Sequence, residues 1–166
     1  MGRRLVANIM ASETLTLAGA TEFVESPLLG EDAGLVAGCG PAGVKITANL
    51  EELVKNADAV INFATAGVVE STKLAVANGC AVVIGTTALS QAEKGQLAEL
   101  ADNGGRIVSS YNMSVGVNLL FKLVGEAART LGLDYDCEII EMHHNQKKDA
   151  PSGTAVRLAG SRLDRK

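Results

Sequence analysis

The strongest constraint on the fold of this chain is an alternation of short apolar runs with helix-forming segments. The runs 59–63, 81–84 and 106–109 are short enough for strands, and we expect the first of them to be buried. Helical patterns occupy 67–78 and the stretch that begins at Ser90. Two parallel strands need a long crossover between them, which is usually a helix and almost always right-handed. The alternation therefore predicts an α/β fold with a parallel sheet, in which ligands lie beyond the carboxyl ends of the strands.

Helix boundaries can be predicted from capping residues. Asn49 precedes Leu50-Glu51-Glu52, Ser90 and Glu93 form a capping-box pattern, and Asn78-Gly79, Asn103-Gly104-Gly105 and Gly132 are stop signals. The remaining predicted segments are a helix over 3–12, a strand over Leu15–Ala20, a loop over 25–43, a strand over Val44–Thr47, and a helix over 114–131 with Leu119, Leu120, Leu123 and Val124 facing inward.

The segment Gly38–Gly43 fits the pattern Gly-x-Gly-x-x-Gly letter for letter. In a dinucleotide-binding loop those glycines follow a strand and open a helix, so that the helix N-terminus meets the pyrophosphate. Here they lie inside a predicted loop and precede a predicted strand. We therefore reject this match as a cofactor fingerprint.

Residues 137–155 combine several chemical groups in one short segment. The apolar run Ile139–Met142 is typical of a strand, and His143 and His144 follow it, with two lysines and an aspartate close behind. Ser152 is then placed to cap a helix, whose first N–H groups attract a carboxylate or phosphate. Taken alone, a pair of histidines is more often a surface feature than a site. The ordered combination indicates a substrate site.

Charge, cysteine content and apolar runs limit the partners and the compartment that we expect for this chain. The net charge is −4 without a Lys/Arg stripe, so we expect no nucleic-acid partner. Cys39, Cys80 and Cys137 are odd in number and widely spaced, which indicates reduced thiols in the cytoplasm and neither a disulfide framework nor a metal site. No apolar run approaches membrane-spanning length.

The segment resembles the signature of the dihydrodipicolinate reductase family, Glu-x-His-His-Arg-x-Lys-x-Asp-Ala-Pro-Ser-Gly-Thr-Ala. Asn145 stands where the family usually has arginine. The positions that match the pattern are Glu141, His143, His144, Lys147, Asp149 and the run Ala150–Ala155.

The resemblance implies a Rossmann-like parallel sheet followed by the start of an α+β substrate domain. Met1-Gly2-Arg3 matches the end of the family's glycine loop, so the first strand and most of that loop are expected to be absent from the chain. We assign residues 1–113 to the dinucleotide-binding domain and 114–166 to the first part of the substrate-binding and oligomerisation domain. The resemblance thus covers the middle of the family's length.

The resemblance also implies a nicotinamide cofactor, NADH or NADPH. Glu22, at the end of a predicted strand, is placed to bind the adenosine ribose, and Phe23 beside it favours NAD because some members have arginine there. The other positions implied to contact the cofactor are Gly85, Thr86 and Thr87 in one loop and Ser110, Tyr111, Asn112 and Met113 in another.

In the family, hydride transfer from the cofactor converts 4-hydroxy-tetrahydrodipicolinate, a cyclic dicarboxylate, to tetrahydrodipicolinate during lysine and diaminopimelate biosynthesis. The resemblance implies that His143 is the proton donor, with Lys147 as a second donor or electrostatic stabiliser. His144 would contact the substrate, and Gly153 and Thr154 would bind a carboxylate. It also implies a homo-oligomer, a tetramer.

Two interpretations remain open. The first is that the chain is part of an active reductase, and the second is that it is a non-catalytic nucleotide-binding or interaction fragment that has kept the motif. Asn145 and the two expected missing ends favour the second interpretation, whereas the intact proton-donor and anion-binding positions favour the first. In either case we expect little reductase activity from these 166 residues alone.

Overall fold

The computed structural model describes residues 1–86, 89–145 and 150–163, with side chains as far as residue 160. The chain forms two compact units, Met1–Val108 and Ser109–Lys166. The elements of the first unit, in chain order, are α1 (Gly2–Met10), β1 (Ala20–Thr21), α2 (Ala33–Ala37), β2 (Ile46–Thr47), α3 (Leu50–Val54), β3 (Ala59–Asn62), α4 (Val68–Ala77), β4 (Ala81–Ile84), α5 (Gln91–Asp102) and β5 (Ile107–Ser109), whose last residue begins the second unit. The second unit continues with α6 (Val115–Leu131), a 3-10 turn (Gly132–Asp134) and α7 (Gly153–Leu163).

The three-stranded sheet of the first unit has the order β3-β4-β5. β3 and β4 are parallel and in register from Ala59 opposite Ala81 to Asn62 opposite Ile84. Helix α4 connects these two strands and α5 connects β4 to β5. The α/β class predicted from the alternation is thereby confirmed.

The core of the first unit lies between this sheet and helices α3, α4 and α5. On β4, Val82 and Ile84 are almost completely buried, because alternate residues of a strand face the same side of the sheet. The buried side chains packed together with them are Val54, Val68, Val69, Ala75, Cys80 and Leu97. Burial on this scale is the main source of stability for the unit.

The outer part of the first unit differs from two predictions. Strand β1 is only Ala20–Thr21, paired in parallel with β2, so the strand predicted over Leu15–Ala20 is wrong except at its last residue. Residues 15–19 have no assigned strand, because strand geometry needs a hydrogen-bonded neighbour that short-range sequence patterns do not reveal. The loop predicted over 25–43 contains the five-residue helix α2.

Asp32 holds together the turn that surrounds α2. Its Oδ1 accepts hydrogen bonds from the N–H groups of Gly34 at 2.9 Å, Leu35 at 3.0 Å and Ala42 at 2.9 Å, and its Oδ2 accepts from Gly43 at 2.8 Å. These bonds lower the pKa of the carboxyl group, and the bond from the Ala42 N–H contributes most to that shift. The segment Gly38–Gly43 follows α2 and leads to β2, so its rejection as a cofactor loop is supported by its place in the fold.

Strand β3 is less buried than its apolar sequence indicates. Only Asn62 is buried, while Ala59 is exposed and Ile61 is 39% exposed. Among the described residues, β3 lies at an edge of the three-stranded sheet and pairs only with β4. The prediction of a strand was right, but the prediction that it is buried was wrong.

After Ser109, the regular elements in the described part of the second unit are helices. The apolar face of α6 was assigned wrongly, since Leu119, Leu120 and Leu123 are exposed and Val124 is only half-buried, while Phe121, Gly125 and Ala128 are buried. Helices α6 and α7 pack on each other, and small residues on α6 permit close approach. The strand predicted over Ile139–Met142 does not form, because within the described residues no strand lies beside it.

The described segments include no helix with the length and apolar character needed to span a membrane.

Candidate functional site

The start of α7 has the form that the sequence predicts. Ser152 is 4% exposed, and its Oγ accepts a hydrogen bond from the Ala155 N–H at 3.1 Å, as in an N-cap. Gly153 and Thr154, both half-buried, form the first turn of the helix. The first N–H groups of a helix have no partner within it, so this turn can receive an anion.

Glu141 connects this helix start to a histidine. Its Oε1 accepts a hydrogen bond from the backbone N–H of Ser152 at 2.8 Å, and its Oε2 lies 3.7 Å from Nδ1 of His143. The side chains of Glu141 and His143 are 28% and 39% exposed, so both remain partly accessible to solvent. One carboxyl group therefore places the predicted proton donor beside the predicted anion-binding turn.

Sequence reasoning did not assign a role to Glu141. The residue is in the matched motif, two positions before His143 and eleven before Ser152. The spacing from His143 could have suggested an interaction, but the contact with Ser152 depends on the path of the intervening chain.

The structure gives fewer contacts for the other residues predicted at the substrate site. His144 is exposed and takes part in at least one interaction, and Asn145 lies at a turn. Lys147 lies outside the described residues, so its predicted role stays a prediction.

The loop between β5 and α6 is held by its own polar side chains. Ser110 Oγ donates to the carbonyl oxygen of Asn112 at 2.8 Å, and Asn112 Oδ1 accepts from the N–H of Ser114 at 2.8 Å. Asn118, one turn into α6, donates to the carbonyl oxygens of Asn112 and Ser114, both at 2.8 Å. These bonds fix the shape of a loop that the resemblance assigns to the cofactor.

The same loop reaches the start of α7. Asn112 Nδ2 donates to Oγ1 of Thr154 at 3.5 Å. The second unit thus joins a predicted cofactor position to a predicted substrate position through one direct contact. Within this loop, Tyr111 is half-buried with further interactions, and Met113 is 39% exposed.

In the first unit, Glu22 follows β1 as predicted. Its N–H donates to the carbonyl oxygen of Thr47 at 3.1 Å, which extends the pairing of β1 with β2 by one residue. The residue is exposed and Phe23 beside it is 62% exposed. A carboxylate at the carboxyl end of a parallel strand is well placed to accept hydrogen bonds from hydroxyl groups.

Gly85 and Thr86 follow β4, while Thr87 lies outside the described residues. The ring of Phe63 covers the Cα of Gly85, so that a Cβ there would lie 2.1 Å from the ring. The glycine is therefore needed for contact with Phe63, whereas the resemblance implied only a contact with the cofactor.

Asn62, at the end of β3, was also missed by sequence reasoning. It is buried, its Nδ2 donates to Ser71 Oγ at 2.8 Å, and its Oδ1 accepts from the Ala64 N–H at 2.9 Å. The Gly85 N–H donates to the Asn62 carbonyl oxygen at 2.9 Å. These bonds couple the turns after β3 and β4. The sequence signal that could have identified Asn62 is a polar residue at the end of an apolar run.

Two family models match the chain. The model described as dihydrodipicolinate reductase, N-terminus, matches residues 1–113, and the model described as dihydrodipicolinate reductase, C-terminus, matches residues 116–164. The 4-hydroxy-tetrahydrodipicolinate reductase of Syntrophotalea carbinolica is 47% identical over 159 residues, which are 95% of this chain and 59% of that protein. That of Geobacter metallireducens is 44% identical over 160 residues, with the same two coverages of 95% and 59%.

Among solved structures, the dipicolinate-bound dihydrodipicolinate reductase from Paenisporosarcina sp. TG-14 is similar, with a TM-score of 0.70 and 30% sequence identity. The match covers 97% of this chain and 60% of that one. The chain thus spans about three fifths of the length of the relatives it matches. Because both family models match and the first alone covers more than half of the residues, the chain belongs to the dihydrodipicolinate reductase family.

Proposed function

We propose that the protein to which this chain belongs reduces 4-hydroxy-tetrahydrodipicolinate to tetrahydrodipicolinate in lysine and diaminopimelate biosynthesis, using a nicotinamide cofactor. The observation that carries the proposal is the link from His143 through Glu141 to the start of α7. It joins a group that can transfer a proton near neutral pH to a turn that can bind a carboxylate. The alternative of a non-catalytic fragment has less support, because these parts of the motif are assembled.

The substrate carries two carboxylates, and the first turn of α7 suits one of them. The backbone N–H groups of Gly153 and Thr154 and the hydroxyl group of Thr154 are donors, and the positive end of the helix dipole adds to their attraction. Asn112, which already contacts Thr154, would hold that hydroxyl group in position. His144 and Lys147 would contribute further contacts with the substrate.

The residues present fit two parts of a nicotinamide dinucleotide, the adenosine ribose and the nicotinamide. The exposed carboxylate of Glu22 can accept hydrogen bonds from ribose hydroxyl groups, and we assign Gly85, Thr86, Thr87 and the loop of Ser110, Tyr111, Asn112 and Met113 to the nicotinamide side. When bound, the reduced nicotinamide supplies the hydride. Phe23 beside Glu22 offers no positive charge for a 2′-phosphate, which supports a preference for NAD over NADP.

His143 would deliver the proton that follows hydride addition. Loss of the 4-hydroxyl group as water leaves an unsaturated ring, to which the hydride adds. The proton then leaves a ring nitrogen of the imidazolium for the substrate carbon that gains electron density, and solvent restores it to the imidazole afterwards. Lys147 would stabilise the developing negative charge. We further propose a cytoplasmic homo-oligomer, a tetramer; the odd number and wide spacing of the three cysteines support the reducing compartment.

The test uses the complete gene product that carries residues 1–166, assayed with NADH and with NADPH. His143→Ala should lower kcat by about 100- to 10,000-fold, since a positioned acid contributes that range, and leave the KM of the substrate nearly unchanged. Thr154→Ala should raise that KM by about tenfold or more, because it removes a hydrogen bond to a charged group.

Glu138→Gln, on an exposed residue earlier in the same segment, is the control and should keep wild-type constants. Full turnover in His143→Ala would refute its role as the acid. Absence of reductase activity in the wild-type protein with both cofactors would refute the proposed function.

A further inference from the structure

We propose that Glu141 is the positioning residue of this site, which retains a proton on Nδ1 of His143 so that Nε2 delivers the catalytic proton. The inference rests on the proposed function, because it takes His143 as the acid. It assigns a role to a residue that does not itself need to touch the substrate or the cofactor.

The geometry gives each oxygen of Glu141 a different partner. Oε1 is fixed by the 2.8 Å hydrogen bond from the Ser152 N–H, and Ser152 is itself almost completely buried at the cap of α7. The carboxyl group therefore cannot turn freely, and Oε2 is held on the side of the His143 ring, 3.7 Å from Nδ1. That distance is longer than a hydrogen bond, and we expect it to shorten when substrate binds, because catalytic contacts often tighten in the bound complex.

A carboxylate next to Nδ1 determines which ring nitrogen reacts. A carboxylate only accepts hydrogen bonds, so it favours the ring states in which Nδ1 carries a proton. In the imidazolium both nitrogens are protonated. When the Nε2–H bond breaks and the new C–H bond forms on the substrate, the ring becomes neutral and keeps its proton at Nδ1.

The same carboxyl group connects proton transfer to substrate binding. Glu141 accepts from Ser152, and the next two residues along the chain, Gly153 and Thr154, form the proposed carboxylate-binding turn. The acid and the anion-binding turn are therefore held at one separation by a single side chain. Correct separation matters, because catalytic groups misplaced by about 1 Å can cost about a hundredfold in rate.

Glu141→Gln separates the two contacts. Glutamine keeps an oxygen that can accept from the Ser152 N–H, so the start of α7 is preserved, but its NH₂ group then faces Nδ1 of His143. An NH₂ group is a donor and favours an unprotonated Nδ1, with the proton on Nε2. In the complete gene product we expect kcat to fall about ten- to a hundredfold, with the KM of the substrate changed by less than about threefold.

The direct readout is the ¹⁵N NMR spectrum of the His143 ring at about pH 9, where an unperturbed imidazole is neutral. The signal is assigned by comparison with His143→Gln. Wild-type protein should show the proton on Nδ1, and Glu141→Gln should show it on Nε2. Glu141→Asp, which keeps the charge on a shorter side chain, should retain the Nδ1 proton and recover part of the lost turnover. Glu138→Gln should match wild type in both measurements.

The two proposals can fail separately. An unchanged protonation site in Glu141→Gln overturns the assignment of Glu141 whether or not the enzyme is active, and so does wild-type turnover in that variant. A wild-type protein that lacks reductase activity, while the proton still moves from Nδ1 to Nε2 on substitution, defeats the proposed function and leaves the positioning contact standing.

Discussion

Single polar side chains fix the loops of this protein by binding several backbone groups at once. Asp32 accepts four N–H groups around α2, and Asn112 both accepts from Ser114 and donates to Thr154. Neither role could be predicted from the sequence, because each depends on residues brought together by a turn. The presence of His143, Ser152 and Thr154 in one motif could be predicted, since their order in the sequence is itself the signal.

Asp32 should make the stability of the first unit depend on pH. Its folded pKa is lowered below the ordinary value of 3.8, so its contribution is fully present above that value and is lost as the pH falls through the lowered folded value. Asp32→Asn removes the charge and one acceptor oxygen. We expect a lower Tm than wild type at pH 7, with the difference shrinking below about pH 4.

Thermal unfolding across that pH range checks this prediction. Glu31→Gln is the control, because Glu31 is the exposed neighbour of Asp32. A difference between Asp32→Asn and wild type that is as large at about pH 2 as at pH 7 would show that the N–H groups do not depend on the charge.

At the scale of the secondary-structure elements, the helices were easier to predict than the strands. The starts of α3, α5 and α6 are each capped by a nearby side chain, Asn49, Ser90 and Ser114, so the signal is local. The strands expected over 15–20 and 139–142 needed partners far away in the chain, and the described residues supply one only to Ala20. The inward face of α6 was also mistaken, because its packing on α7 favours small residues over leucines.

The capping box of α5 gives a prediction at this scale. Ser90 Oγ accepts from the Glu93 N–H at 3.2 Å, and the Glu93 carboxylate accepts from the Ser90 N–H at 2.8 Å. Ser90→Ala should reduce the free energy of unfolding by about 1 kcal/mol, the usual cost of losing an N-cap. Gln91→Ala, at the next residue, keeps the cap and should change the free energy of unfolding much less.

Urea denaturation of both variants measures this difference. An equal loss in Ser90→Ala and Gln91→Ala would mean that helix propensity, and not the cap, limits the stability of α5.

At the scale of the whole molecule, burial is distributed unevenly. The side chains packed around β4 form a continuous core, while leucines along α6 and the side chains of Ile140 and Met142 are largely exposed. The α/β architecture could be predicted from the alternation of strands and helices. Which apolar faces are buried could not be predicted from the sequence, since that depends on how the elements are arranged in space.

Two isoleucines on neighbouring strands test how strongly stability depends on this core. Ile84 on β4 is 0% exposed and Ile61 on β3 is 39% exposed. Ile84→Ala should lower the free energy of unfolding by about 2–5 kcal/mol, because it leaves a cavity that the packed helices cannot fill. Ile61→Ala, the same change at an accessible position, should cost clearly less.

Chemical denaturation with a fitted midpoint and slope compares the two variants. Similar losses at both positions would contradict the core assigned to β4.

The carboxyl group of Glu141 has a consequence for anyone who redesigns the protein. Because it accepts a hydrogen bond from the backbone at the cap of α7 and faces the imidazole of His143, a remodelled first turn would also displace the proposed acid. Variants selected there to accept a bulkier ring should therefore become slower catalysts even where they bind well, unless position 141 is re-optimised together with them.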